Sequence, residues 1–203
     1  EAATFFNPSI VGSSAESIRI GNIQGFSNKS YAVFDNPASL FRVNKFSTSL
    51  FDTTFMDEVN YRNYSTAFRL KKGVVAIGLM STSVSGIPKT GVIFSGTPDS
   101  ENPFVQLRDS RGSIVKTGTY GYSNDLYKIG YQISQSRKVH WGFSLSQFKT
   151  KIDTVSGEGM NMDVGVLIAG ANRDFSLIAK NVVSSMKVSY SNGGSEELPL
   201  QLV

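Results

Sequence analysis

His140 is the chain's single histidine, so a Ser-His-acid triad would have to run through it. It stands beside Trp141 inside an alternating stretch, with no acidic residue close in sequence. A polar residue on one strand face is the simpler reading. With no cysteine to join it, a zinc site lacks ligands. Asp153 and Glu158 could form a carboxylate pair across a loop, although solvated loop charges explain them as well. Asp99, Glu101 and Asp109 lack the regular oxygen-ligand spacing of a calcium loop. Gly157-Glu158-Gly159 has no Lys-Ser/Thr behind it and is not a phosphate loop. The expectation is therefore no enzyme, no cofactor and no metal. Tyr120, Tyr122, Tyr127, Tyr131 and Trp141 could form an aromatic girdle at a membrane interface. They could equally be the core aromatics of a β-sandwich.

The composition narrows the classes. Only 18% of the 203 residues are charged, against about 25% in ordinary soluble domains. Aromatics reach 11%, too many for a disordered chain. The net charge of +4 comes from lysines and arginines scattered singly or in pairs, so no nucleic-acid partner is expected. The longest charge-free run, Gly73 to Pro88, is interrupted by Ser81, Ser83, Ser85 and Gly86 and is too short for a spanning helix.

Residues 1–44 are broken by Pro8, Gly12, Gly21, Gly25 and Pro37, yet carry Phe26, Tyr31, Phe34, Leu40 and Phe41. They are expected to pack against something. From Lys45 onward, apolar and polar residues alternate with the period of a strand. Phe46, Thr48 and Leu50 share a face. Met56-Asp57-Glu58 turns into a strand from Val59 to Leu70, and Lys71-Lys72-Gly73 turns into one from Val74 to Ser83. Residues 84–118, with Gly86, Pro88, Gly91 and Pro103 among them, read as a long polar connection. Tyr127, Ile129, Tyr131 and Ile133 then alternate with Lys128, Gly130 and Gln132. After Ser136-Arg137-Lys138, Val139, Trp141, Phe143 and Leu145 alternate with His140, Gly142 and Ser144. A loop is expected around Gly157 and Gly159. A sixth strand follows, with Met160, Met162, Val164 and Val166 opposite Asn161, Asp163 and Gly165. The seventh begins at Phe175, and Leu198-Pro199-Leu200 starts an eighth.

Such alternation suits either a soluble sandwich, apolar face inward, or a membrane barrel, apolar face toward lipid. Strands of about 10 residues or more favour the barrel, since tilted spans need about 9–11. The predicted fold class is all-β: an antiparallel up-and-down transmembrane β-barrel, with 45–203 as its strands and 1–44 as an N-terminal plug. Seven strands and the start of an eighth leave an unpaired edge, which lipid does not tolerate. The chain is therefore expected to be part of a larger barrel, or to be completed by a second chain. Tyr127, Ile129, Tyr131, Trp141, Phe143, Val164 and Val166 are expected to face lipid. Lys128, Gln132, His140 and Asp163 are expected to face the lumen. Arginine at Ile129 or Val164 should block assembly, and arginine at Gln132 should be tolerated.

Gly25-Phe26-Ser27 followed by Val33-Phe34-Asp35-Asn36-Pro37-Ala38-Ser39-Leu40 resembles the N-terminal segment of FadL-like outer-membrane proteins, in particular the PorV/PorQ branch. That segment runs to an Asn-Pro-Ala-Gly-Leu element before the first barrel strand, and Ser39 replaces its glycine here. Phe175-Ser176-Leu177, Lys180-Asn181 and Glu197-Leu198-Pro199-Leu200 resemble the same branch. The resemblance implies a plug built around Asn36, Pro37 and Ala38. It implies a bacterial outer membrane, with lipid as a partner and other membrane or secreted subunits as further partners. Its members pass hydrophobic small molecules or hold secreted proteins at the cell surface. The alternatives are a structural barrel subunit anchoring an extracellular assembly, and a secreted β-sandwich that binds a ligand or builds a filament.

Overall fold

The computed structural model describes residues 8, 11–23, 25–93, 113–183 and 187–203, with only the backbone of 92, 93, 113 and 114. The strands are β1 (Phe46–Phe55), β2 (Val59–Leu70), β3 (Gly73–Ile93), β4 (Ser113–Ser134), β5 (Val139–Ile152), β6 (Val155–Ala169), β7 (Asp174–Lys180), β8 (Lys187–Tyr190), β9 (Ser195–Glu197) and β10 (Gln201–Leu202). They form one antiparallel sheet in the order β1-β2-β3-β4-β5-β6-β7-β10, with β8 against β6 and β9 against β8. The fold is thus all-β and antiparallel. Among the described residues the sheet is open, with β1 at one end and β10 at the other.

The alternation read from sequence becomes two chemically opposite faces. Successive side chains on a strand point to opposite sides, and the register aligns them into rows. One row on the outer face holds Phe46, Phe68, Val75, Tyr131, Phe143 and Val164. The next holds Thr48, Thr66, Ile77, Ile129, Leu145 and Met162, and the third Leu50, Tyr64, Leu79, Tyr127, Gln147 and Met160. None of these is charged. Leu50 is 75% exposed, Ile129 50% and Ile77 49%. The opposite face is buried and largely polar: Asn63, Ser65, Asn124, Lys128, Gln132, His140, Ser144, Ser146, Asn161 and Asp163 all lie on it. The charged pair on this face, Lys128 and Asp163, is buried together, as buried charges usually are.

The N-terminal segment covers the polar face. It contains helix α1 (Ala15–Arg19), capped by the Ser14 side chain on the Ser17 amide, and two 3-10 helices, Ser30–Val33 and Pro37–Arg42. The first 3-10 helix touches β1 through β4 and the second touches β3 through β6. Together the two helices reach six adjacent strands, β1 through β6. Tyr31, Val33, Phe34 and Leu40 join Tyr61, Val74, Ala76, Met80, Leu126 and Phe148 in one buried cluster.

Two connections differ from the sequence reading. The expected 84–118 connection is largely strand: β3 runs on to Ile93 and β4 starts at Ser113, so only residues 94–112 of it lie outside the described residues. β2 ends opposite Val84 and β5 ends opposite Tyr122, so beyond those points β3 and β4 pair only with each other. They stand past the sheet as a two-stranded ribbon, with register shifts at Val84/Ile87 and Lys89/Thr90. Prolines and glycines such as Gly86 (φ 76) and Pro88 hid the strand because bulges accept residues a regular ladder does not. Gly157 and Gly159 likewise belong to β6, not to a loop; the turn is Asp153-Thr154. They sit where Tyr190 and Val188 of the crossing β8 approach, at 2.7 and 2.8 Å from the Cβ that each glycine lacks.

Candidate functional site: the interface between the N-terminal segment and the sheet

Asn36 organises this interface. Its Oδ1 accepts the Ala38 amide at 2.9 Å, capping the second 3-10 helix, with Pro37 at the first helical position, where its missing N–H costs nothing. Its Nδ2 donates to Ser176 Oγ at 2.9 Å and lies 3.3 and 3.4 Å from the carbonyl oxygens of Leu177 and Val166. One side chain thus starts the helix and ties it to β6 and β7. Ser39 Oγ donates to the Gly25 carbonyl at 2.6 Å, so the hydroxyl carried here holds an earlier part of the segment.

Glycines on four adjacent strands leave a channel for residues Val33 to Ala38. A Cβ on Gly78 of β3 would lie 2.7 Å from Phe34 Cε1, and one on Gly130 of β4 would lie 2.8 Å from Val33 Cγ2. On Gly142 of β5 it would lie 2.7 Å from Ala38 Cα, and on Gly165 of β6 it would lie 2.8 Å from Asn36 Cγ. Such distances are shorter than van der Waals contact. Sequence reading placed Gly130, Gly142 and Gly165 on the polar face but did not name the contacts each would make.

The deepest charges lie near the centre of this face. Lys128 Nζ pairs with Asp163 Oδ2 at 2.6 Å, with side chains 4% and 2% exposed. Ser144 Oγ reaches the same oxygen at 3.3 Å, while Asp163 Oδ1 accepts from the Asn181 amide at 3.1 Å and lies 3.4 Å from Asn161 Nδ2. Asp35 of the segment is also buried and accepts from Ser13 Oγ at 3.0 Å and from Ser27 Oγ. Burial raises its carboxyl above the usual range. The Ser27 and Ser13 hydroxyls and the positive charges of Lys180 and Lys128 oppose that shift. Lys180 is itself only 6% exposed. Two cations from the sheet therefore face one anion from the sheet and one from the segment. Further out, Arg42 Nη2 pairs with Asp174 at 2.7 Å and Tyr31 donates to Glu16 at 2.5 Å. Burial and that carboxylate hold the Tyr31 phenol well above its ordinary range.

His140 stacks on Phe41, with ring centroids 3.6 Å apart and planes 9° from parallel. Its Nδ1 shares a hydrogen bond with Ser134 at 2.9 Å, and Gln132 Nε2 donates to Ser134 Oγ at 2.9 Å. Among the described residues His140 Nε2 is buried without a partner, and none of them supplies a carboxylate to complete a triad with the serine and histidine. Asp153 pairs with Lys89 and Glu158 with Lys149, on opposite sides of a turn. Asp99, Glu101 and Asp109 lie outside the described residues. Among the described residues no three His, Asp or Glu side chains converge as metal ligands, and no helix is long and apolar enough to cross a membrane.

Lys128, Gln132, His140 and Asp163 lie together on the buried face, under the segment, while Ile129, Tyr127, Tyr131, Trp141 and Phe143 are exposed on the other and Val164 and Val166 are half-buried there. Gln132 has no exposed surface, so an arginine there would have to displace its neighbours, which weighs against the tolerance expected from sequence. Asp35, Gly142 and Gly165 were the interface residues that sequence reading passed over. In comparisons with protein-family models, curated proteins and solved structures, the chain matches none.

Proposed function

We propose that this chain forms the wall and plug of a bacterial outer-membrane β-barrel of the FadL-like, PorV type, and that it serves as a surface-attachment or secretion partner for other proteins. The observation that carries the reading is the inverted sheet. The outer face presents rows of uncharged, mostly apolar side chains, and the polar face is buried against the segment. From Val139 to Gln147 the outer face of β5 covers about 26 Å along the strand at about 3.3 Å per residue. At a tilt near 40° that is about 20 Å of height, close to the apolar band of about 25 Å on such barrels. The first outer row with charge follows directly: Asp52, Arg62, Asp125, Lys149 and Glu158, with Asp52 paired to Arg62 and Lys149 to Glu158.

Attachment is favoured over conduction because the polar face is occupied by a segment anchored through Asn36 and fitted to glycines. The ribbon of β3 and β4 beyond Val84 and Tyr122 offers strand edges for a partner outside the membrane. The second reading, passage of hydrophobic small molecules, requires the segment to move. Lipid and protein subunits are the partners proposed, and no catalytic step, cofactor or nucleic acid enters.

The test is extraction from membranes in mild detergent, followed by gel mobility with and without boiling. A shift on boiling, together with no solute flux in proteoliposomes, is the expected result. A protein soluble without detergent that shows no shift would overturn the barrel. Flux that disappears when the segment is crosslinked to the wall would favour transport.

A further inference from the structure

One end of the sheet carries a rim of positive charge. The connections β2–β3, β4–β5 and β6–β7, and the approach to β1, all lie at that end. They hold Lys45, Lys71, Lys72, Arg137, Lys138 and Arg173, all exposed. None of the six is in an ion pair among the described residues. The nearest acid there, Asp174, is engaged by Arg42 at 2.7 Å. The turns at the other end differ, with Asp57 and Glu58 between β1 and β2 and Asp153 between β5 and β6. The rim lies directly beyond the apolar rows: Leu70 is 51% exposed, Phe175 65% and Ile168 46%. Trp141, the chain's single tryptophan, sits on the outer face three residues from Lys138, and its Nε1 donates to Gln135 in the same turn at 3.1 Å.

We infer that this rim binds the anionic phosphate headgroups of the lipid leaflet that adjoins it, selecting anionic over zwitterionic phospholipid. The inference rests on the barrel reading of the outer face. A band of apolar side chains ending in unpaired cations places those cations at headgroup depth. Each lysine or arginine near an anionic surface adds favourable energy that decays within a screening length. Lysine and arginine stems can also extend along the apolar rows while their charges stay in water.

Trp141 supplies the readout. The protein is reconstituted in vesicles, and its fluorescence is quenched by brominated phosphatidylcholine or brominated phosphatidylglycerol. The expected result is a preference for phosphatidylglycerol of about fivefold at low salt. It should fall toward unity at about 0.5 M salt, where the screening length is near 4 Å. It should also fall in the variant K71Q/K72Q/R137Q/K138Q, whose side chains are exposed and unpaired and whose folding should be unaffected. Equal quenching by the two lipids would overturn the inference and leave the barrel reading intact. Loss of the preference on adding inorganic phosphate at constant ionic strength would assign the rim to free phosphate and also overturn it. No quenching by either lipid would mean that Trp141 does not face lipid, and the barrel reading would fail with it.

Discussion

Replacing Gly142 with alanine tests the fit between segment and sheet at its tightest point. The new methyl would lie 2.7 Å from Ala38 Cα and closer still to the Ala38 amide nitrogen. These are backbone atoms, held by the Asn36 cap at 2.9 Å, so no rotamer change relieves the clash. Ordinary carbon-carbon contact is about 3.5–4.0 Å, and the segment must move by about 1 Å or more. Overpacking of this kind costs about 1–3 kcal/mol. Displacement also strains the Asn36 bonds to β6 and β7, with a loss of about 1 kcal/mol in all. The total of about 2–4 kcal/mol should raise the population of undocked segment by roughly 30- to 900-fold. Trypsin reports it, since Arg19 and Lys29 are exposed within the segment and cleavage tracks the open population when reclosing is fast. Gly118→Ala is the control, because nothing lies within 4 Å of its missing Cβ. Gly130→Ala should fall between the two, because its contact is the Val33 side chain at 2.8 Å rather than backbone. Equal protection of Gly142→Ala, Gly118→Ala and the parent chain would refute the docking described here.

Arginine at Ile129 or Val164 should prevent membrane assembly, at a cost of about 2–4 kcal/mol near the bilayer midplane; folded protein in the membrane fraction, measured by heat-dependent gel mobility, should fall sharply for both. Lys128→Met should destabilise by about 3–5 kcal/mol because it strands the buried Asp163, and the double variant K128M/D163L should recover most of the loss in a thermal melt. No recovery would mean that the pair's hydrogen bonds matter more than its charges. Asp35 carries a pH dependence. Its folded pKa lies above its unfolded value, chiefly through burial, so the folded state binds the extra proton and the Asp35 contribution to stability declines as pH rises through that window. Asp35→Asn removes the titration, so its melting temperature relative to the parent should be lower at about pH 4 than at about pH 8. The opposite sign would mean that Lys180, Lys128 and the serine hydroxyls outweigh desolvation.

The two-residue period made most of the fold legible. Tyr127 to Ile133 and Val139 to Leu145 alternate so regularly that their faces followed from sequence alone. What remained hidden was what alternation does not encode. Gly142 and Gly165 look like weak strand residues until the segment that fills their missing side chains is placed beside them. Asn36 enters the sequence reading only as part of the Asn-Pro-Ala motif, and its contacts to residues 166, 176 and 177 exist only once β6 and β7 have folded against it. Asp35 gave no local sign that it would be buried near Lys128 and Lys180, because the three come together only when the segment docks on the sheet. The strand extensions to Ile93 and from Ser113 were masked by glycine and proline.

The choice between barrel and soluble sandwich turns on what covers each face. A sandwich buries its apolar face against a second sheet about 10 Å away; among the described residues no second sheet exists, and the layer that does exist covers the polar face. The uncovered rows extend across β1 to β7, about 29 Å at 4.8 Å per strand, and about 20 Å in height. That is roughly 600 Å² in projection, at the upper limit for the largest apolar patch of a soluble monomer before side-chain relief is counted. The buried face also holds charges beside its apolar cluster. Burying Lys128, Asp163, Lys180 and Asp35 together is tolerable where the alternative environment is also low in dielectric, or where charge must be kept from an outer face bathed in lipid. Water would give each of those groups a cheaper place on the surface. The register that sets these two faces is held across six consecutive strand pairs, and the barrel proposed above is the arrangement that would put the uncovered apolar rows against lipid.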